Sequence, residues 1–130
     1  MIPRSRRARA EALATHLAKL PGTIDVAEWS DTPGQRLDAI INCTPVGMTG
    51  GPAPDQSPID LDRLGALNPV VFDTVYAPPE PPLLKRARAL GLGTIDGAEM
   101  FIRQASAQFE AWTGAPAPAE LFDRLVRNEG

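Results

Sequence analysis

Three short apolar runs, each ending in polar or glycine-bearing sequence, set the tightest limit on what this chain of 130 residues can fold into. Ala39-Ile40-Ile41 and Val70-Val71-Phe72 are continuous rather than alternating, which predicts strands buried within Leu37–Cys43 and Pro69–Val75. Gly93 to Asp96 holds a shorter candidate, Thr94-Ile95, and Thr23 to Trp29 alternates in the manner of a further strand. Helical stretches separate them. From Arg6 to Leu20, the residues Ala10, Leu13, Ala14, Leu17 and Leu20 form one amphipathic stripe, with Ser5 placed to cap it and Pro21-Gly22 to stop it. Pro81–Leu90 has proline near its start and Gly91 beyond its end, Ala98–Trp112 is closed by Gly114, and Pro118–Arg127 groups Leu121, Phe122, Leu125 and Val126. Asp60–Leu64 fits one helical turn. Thr44–Pro58, with Gly47, Gly50, Gly51 and four prolines, is a loop longer than most connections, and such loops are often functional. Buried strands alternating with helices predict a single α/β domain built on a parallel sheet.

Composition removes several classes of function. A net charge of −3 and a pI near 5.1 argue against nucleic acid or a membrane surface as partner. The lone Cys43 precludes an intramolecular disulfide and a multi-cysteine metal site, and its place in an apolar run predicts a small core residue. His16 is also alone and falls on a helix surface, so no histidine-based metal cluster is expected. No apolar run approaches the ~18 residues of a membrane span. The arginine-rich opening is superficially like an organelle transit peptide, but it runs into a helix containing Glu11, and a cytoplasmic location is expected.

In open parallel sheets, ligands bind beyond the carboxyl ends of the strands. Three such ends here carry polar or glycine-rich sequence: Asn42-Cys43-Thr44-Pro45-Val46-Gly47, Asp73-Thr74-Val75-Tyr76 and Asp96-Gly97. Thr44, Tyr76 and Gln104 are neutral donors and acceptors suited to sugar-like hydroxyls and a cofactor amide. Gly47 and Gly97 would let backbone approach a flat ligand. Equally, Asn42 and Asp73 would serve only to cap strand ends, and the glycines only to turn. Arg4, Arg6, Arg7 and Arg9 oppose the dipole of the helix they open, and form either a solvated basic turn or a phosphate site. There is no GxGxxG, P-loop or nucleophile elbow.

Ile41-Asn42-Cys43-Thr44-Pro45-Val46-Gly47-Met48, then Phe72-Asp73-Thr74-Val75-Tyr76 with Pro82-Leu83-Leu84, resembles shikimate dehydrogenase. So does Asp96-Gly97-Ala98-Glu99-Met100-Phe101-Ile102-Arg103-Gln104-Ala105, followed by Phe109-Glu110-Ala111-Trp112-Thr113-Gly114. The resemblance spans nearly the whole chain, with the motifs in order. It implies a partial Rossmann-like, doubly wound parallel sheet with helices on both faces and C-terminal helices. Residues 1–130 would be part of the C-terminal NADP-binding domain, with the glycine-rich loop and the substrate domain absent. The family reduces 3-dehydroshikimate to shikimate with NADPH on the way to chorismate and aromatic amino acids. The resemblance implies that Thr44, Thr74 and Gly97 face the cofactor, that Arg4, Ser5 and Arg9 meet its 2′-phosphate, and that Tyr76 and Gln104 bind substrate. The catalytic Lys–Asp pair belongs to the absent domain, and neither Lys19 nor Lys85 sits in a matching motif. The chain alone is expected to be inactive and to self-associate through an exposed sheet edge. The alternatives are a quinate/shikimate dehydrogenase fragment and a non-enzymatic binding or interaction module.

Overall fold

β-Branched residues suit a pleated surface, and the apolar runs become β1 (Ala39–Asn42), β2 (Val70–Asp73) and β3 (Thr94–Ile95). The computed structural model describes residues 4–24, 26–27, 36–64 and 67–127. The chain divides into two units, residues 1–35 and 36–130.

In the second unit all pairing is parallel, in the order β1-β2-β3, with Ile40 beside Val71, Asn42 beside Asp73 and Phe72 beside Ile95. The helix α2 (Pro82–Ala89) packs on β2 and β3. Pro82 occupies its first turn, where a missing N–H costs nothing. Leu83, Leu84 and Ala87, spaced on one helical face, are buried, as are Ile40 and Val71 of the sheet, with Leu61 and Leu64 from a 3-10 turn (Leu61–Leu64) completing the core. Each buried leucine contributes roughly 1.5–3 kcal/mol. The opposite sheet face is less covered than the continuous apolar runs predict. Ile41 is 56% exposed and Val70 41% exposed. There Phe72 and Ile95 share a hollow of about 420 Å³ with Glu99, Met100 and Arg103.

Those three residues lie on α3 (Gly97–Thr113), which Asp96 opens by accepting the Glu99 N–H at 2.7 Å. Gly114 closes it at φ 68°, in the left-handed region where glycine carries no steric cost. α4 (Ala119–Arg127) packs along α3, with Phe109 and Phe122 edge to face at 5.9 Å. Among the described residues no helix is long and apolar enough to cross a membrane.

The first unit contains α1 (Arg4–Leu17). The helix begins before Ser5, which therefore lies in its first turn and does not cap it; the arginine- and alanine-rich run favours helix from its outset. The helix also ends short of Leu20, which closes a turn onto the Leu17 carbonyl. Pro21 accounts for the early stop, since the residue before a proline is driven from the α region. Leu13 remains 58% exposed. The expected strand at Thr23–Trp29 is not formed by Thr23, Ile24, Val26 and Ala27, which find no ladder partner among the described residues; its remaining residues lie outside them.

These exposures locate the stabilising core. Leu84→Ala should cost about 2–5 kcal/mol in urea unfolding, whereas Leu13→Ala should stay within ~0.5 kcal/mol. Equal losses would place the core elsewhere.

Candidate functional site

The alternation that turns Ile40 and Val71 inward turns Asn42 and Asp73 inward two residues later, at 2% and 0% exposure. Two buried polar side chains side by side need partners, and they find each other. Asn42 Nδ2 donates to Asp73 Oδ1 at 2.9 Å and also to the Val46 carbonyl at 3.3 Å. Asn42 Oδ1 accepts from the Thr44 N–H at 2.9 Å and the Thr44 hydroxyl at 2.7 Å. Its backbone carbonyl accepts from the Thr74 N–H at 3.1 Å and the Thr74 hydroxyl at 2.9 Å. Asp73 Oδ1 accepts a second bond, from the Val75 N–H at 3.0 Å, while Asp73 Oδ2 is buried without a hydrogen bond. Burial pushes the Asp73 carboxyl above its ordinary range, against the opposing pull of the Val75 N–H and the Asn42 amide.

The end of β3 presses on the same place. A Cβ on Gly97 would lie 2.5 Å from the Val75 carbonyl oxygen and 2.6 Å from that of Thr74. The close approach that Gly97 permits is thus to the Thr74–Val75 backbone. Around this centre the loop after β1 is drawn in: the Thr49 N–H donates to the Ala77 carbonyl at 2.7 Å, and Gly47 turns at φ 86° against Pro82. Tyr76 stacks on Phe101 at 5.5 Å, each ring about half exposed. Gln104, exposed, follows Phe101 by three residues and continues its stripe on α3.

Thr44, Thr74, Tyr76 and Gly97 therefore gather at the carboxyl ends of the strands, with Gln104 on the helix that starts there. Arg9 is exposed on α1, in the other unit; Arg4 and Ser5 are helical there, and their side chains lie outside the described residues. Cys43 is exposed, contrary to its expected core position, because the inward place falls to Asn42 and the strand stops there. The organising role of Asn42 and Asp73 was the part missed. Only their burial had a signal, each polar residue standing two places beyond an inward apolar one. Larger hollows of about 600 and 490 Å³ run along α3 and α4 and share Ile102, Ala119 and Asp123; in the second, Arg103 and Arg127 already pair with Glu99 and Asp123. No metal-binding cluster exists among the described residues.

Residues 97–127 match the family described as Shikimate 5'-dehydrogenase C-terminal domain. The chain is 48% identical over 122 residues to the Shikimate dehydrogenase (NADP(+)) of Rhodospirillum rubrum, across 92% of this chain and 40% of that protein. The chain belongs to the shikimate dehydrogenase family. Solved structures carry the same fold. A shikimate dehydrogenase in complex with NADP+ superposes with a TM-score of 0.72 at 33% identity, over 95% of this chain and 42% of that one. Quinate dehydrogenase from Corynebacterium glutamicum in complex with NAD gives 0.71 at 32% identity, over 91% and 42%. The chain thus spans about two-fifths of the length of these relatives. Its parallel sheet is the Rossmann-like part of the shikimate dehydrogenase fold.

Two variants test this geometry. Gly97→Ala forces a methyl group onto two backbone carbonyls, and should lower stability by at least about 1–3 kcal/mol; an unchanged urea midpoint would contradict the close approach. Asp73 sets a pH dependence. Its folded carboxyl holds the proton at pH values where the unfolded chain, near 3.8, releases it. Its contribution is therefore complete below that value and is lost as pH rises through the folded pKa, with a slope of at most ~1.4 kcal/mol per pH unit. Subtracting the urea profile of Asp73→Asn from that of the wild type should reveal this fall. A difference of opposite sign would contradict it.

Proposed function

We propose that this chain is the NADP-binding C-terminal part of a shikimate dehydrogenase, acting in the cytoplasm on shikimate and 3-dehydroshikimate. The observation that carries the reading is the gathering of Thr44, Thr74, Tyr76 and Gly97 at one end of a parallel sheet, in a chain so similar to an NADP-dependent shikimate dehydrogenase. The donor set fits the nicotinamide end of the cofactor. It offers a peptide carbonyl at Thr74 for a carboxamide N–H, and hydroxyl groups. NADP supplies the hydride chemistry when bound. Thr44, whose proton already goes to Asn42 and whose oxygen accepts the Val46 N–H at 3.3 Å, presents its remaining lone pair to the cofactor. Gly97 lets the first turn of α3 close on the Thr74–Val75 backbone, fixing the carbonyl of Thr74 at the nicotinamide end. Tyr76, held against Phe101, and Gln104 offer a hydroxyl and an amide to the hydroxyl or carboxylate of the substrate. Arg4, Ser5 and Arg9 meet the 2′-phosphate. The proton of the reacting hydroxyl is handled by a Lys–Asp pair in the substrate-binding part of the full-length protein; Lys19 and Lys85 are exposed and sit in no matching motif. The outer edge of β1, beside the exposed Ile41, is where a second copy attaches when the chain is alone.

The test is a chimera in which residues 1–130 replace the matching segment of the Rhodospirillum rubrum protein. It should oxidise shikimate with NADP, whereas the 130-residue chain alone should be inactive and should sediment above its 13.9 kDa. Within the chimera, Tyr76→Phe and Gln104→Ala should each lower kcat/KM for shikimate roughly tenfold with little change in NADP affinity, as expected for one lost hydrogen bond to substrate. A folded chimera without activity would overturn the reading, and losses falling equally on NADP affinity would overturn the assignment of these two residues.

A further inference from the structure

The hydrogen bond between Asn42 and Asp73 joins residues 31 positions apart, and both side chains are buried. An apolar pair at these places would continue the alternation set by Ile40 and Val71, and would avoid desolvating an amide and a carboxyl. Buried polar pairs are seldom the most stabilising choice. The fold of the sheet therefore does not explain them. Their other bonds do. Each side chain turns its remaining capacity on the loop that leaves its own strand: Asn42 on Thr44 and Val46, Asp73 on Val75. The bond between the two side chains is what makes these local networks one. The Asn42 carbonyl reaches across to Thr74 in the same direction, and Gly97 closes on the Thr74–Val75 backbone from the side of β3.

We propose that Asn42 and Asp73 are a positioning pair that locks the loop carrying Thr44 to the turn carrying Thr74 and Tyr76. The groups facing cofactor and the groups facing substrate then hold one fixed arrangement. The functional meaning rests on the reading given above; the mechanical coupling does not. Neither residue touches the reacting atoms. Removing either one strands the polar atoms of its partner, so the loop on the far strand loosens along with the near one. Burial raises the pKa of Asp73, against the pull of the Val75 N–H and the Asn42 amide.

The experiment is amide hydrogen exchange, read by NMR on the whole 130-residue chain without ligand. Asp73→Ala should speed exchange of the Thr44 amide about tenfold or more, although Thr44 makes no bond to Asp73. Asn42→Ala should do the same to the Val75 amide. The amides of Ala87 and Arg88 in α2 should keep their wild-type protection. Asp73→Asn, whose side-chain oxygen accepts the same two bonds, should bring Thr44 back to within about twofold of the wild type. The proposal is overturned if Thr44 in Asp73→Ala exchanges at the wild-type rate, because the two loops are then independent. It is equally overturned if Ala87 and Arg88 lose protection in step with Thr44 in both the alanine and the asparagine variant, because the pair is then a general prop of the fold. An inactive chimera would leave a positive exchange result standing, and a failed coupling would leave an active chimera standing, so the two readings fail separately.

Discussion

One asparagine holds the carboxyl end of this sheet together. Asn42 uses both amide protons, its side-chain oxygen and its backbone carbonyl, and every bond runs to a residue at the end of β1 or β2. In water these bonds would be worth little over their hydrated alternatives. In a buried site, leaving any of them unmade costs ~1–3 kcal/mol. That asymmetry makes the arrangement singular. The Thr44 hydroxyl, the Thr74 hydroxyl and the Val75 N–H have set positions because Asn42 and Asp73 would otherwise be left unsatisfied.

The architecture places this knot where it has chemical use. Parallel pairing brings the ends of β1 and β2 level, with Asn42 beside Asp73, so two loops from separate parts of the chain leave the sheet side by side. α3 starts two residues beyond β3, and glycine at its first position lets the helix begin against the β2 turn. The same helix then carries Phe101 beneath Tyr76 and offers Gln104 further along. The other face of the sheet is less covered, with Ile41 and Val70 exposed.

Much of this was legible in the sequence. The continuous apolar runs at Ile40 and Val71 announced parallel strands, and the proline and glycine punctuation around Leu84 and Gly114 bounded α2 and α3 closely. That Thr74, Tyr76 and Gly97 lie beyond the strand ends was readable from their positions after the apolar runs. Other features were not legible, for physical reasons. Burial of both sheet faces was inferred from composition, but coverage depends on what lies above each face, and Ile41 has little above it. Cys43 looked apolar in context, yet the register that buries Asn42 turns its neighbour outward. The alternation at Thr23–Trp29 had the right period, but Thr23, Ile24, Val26 and Ala27 find no partner strand among the described residues, and period alone makes no ladder. The joint role of Asn42 and Asp73 needed the pairing of β1 with β2, which no local pattern reveals.

The central claim is that this strand-end site is organised by the Asn42 side chain, and NMR of its amide group tests that claim most directly. The account expects two inequivalent, slowly exchanging Asn42 Nδ2 protons. It also expects a scalar coupling across the hydrogen bond to the Asp73 carboxyl carbon and a second coupling from the Thr44 amide nitrogen to the Asn42 side-chain carbonyl carbon. Asn42 protons that exchange at the rate of a solvent-exposed asparagine, with neither coupling present, would contradict it.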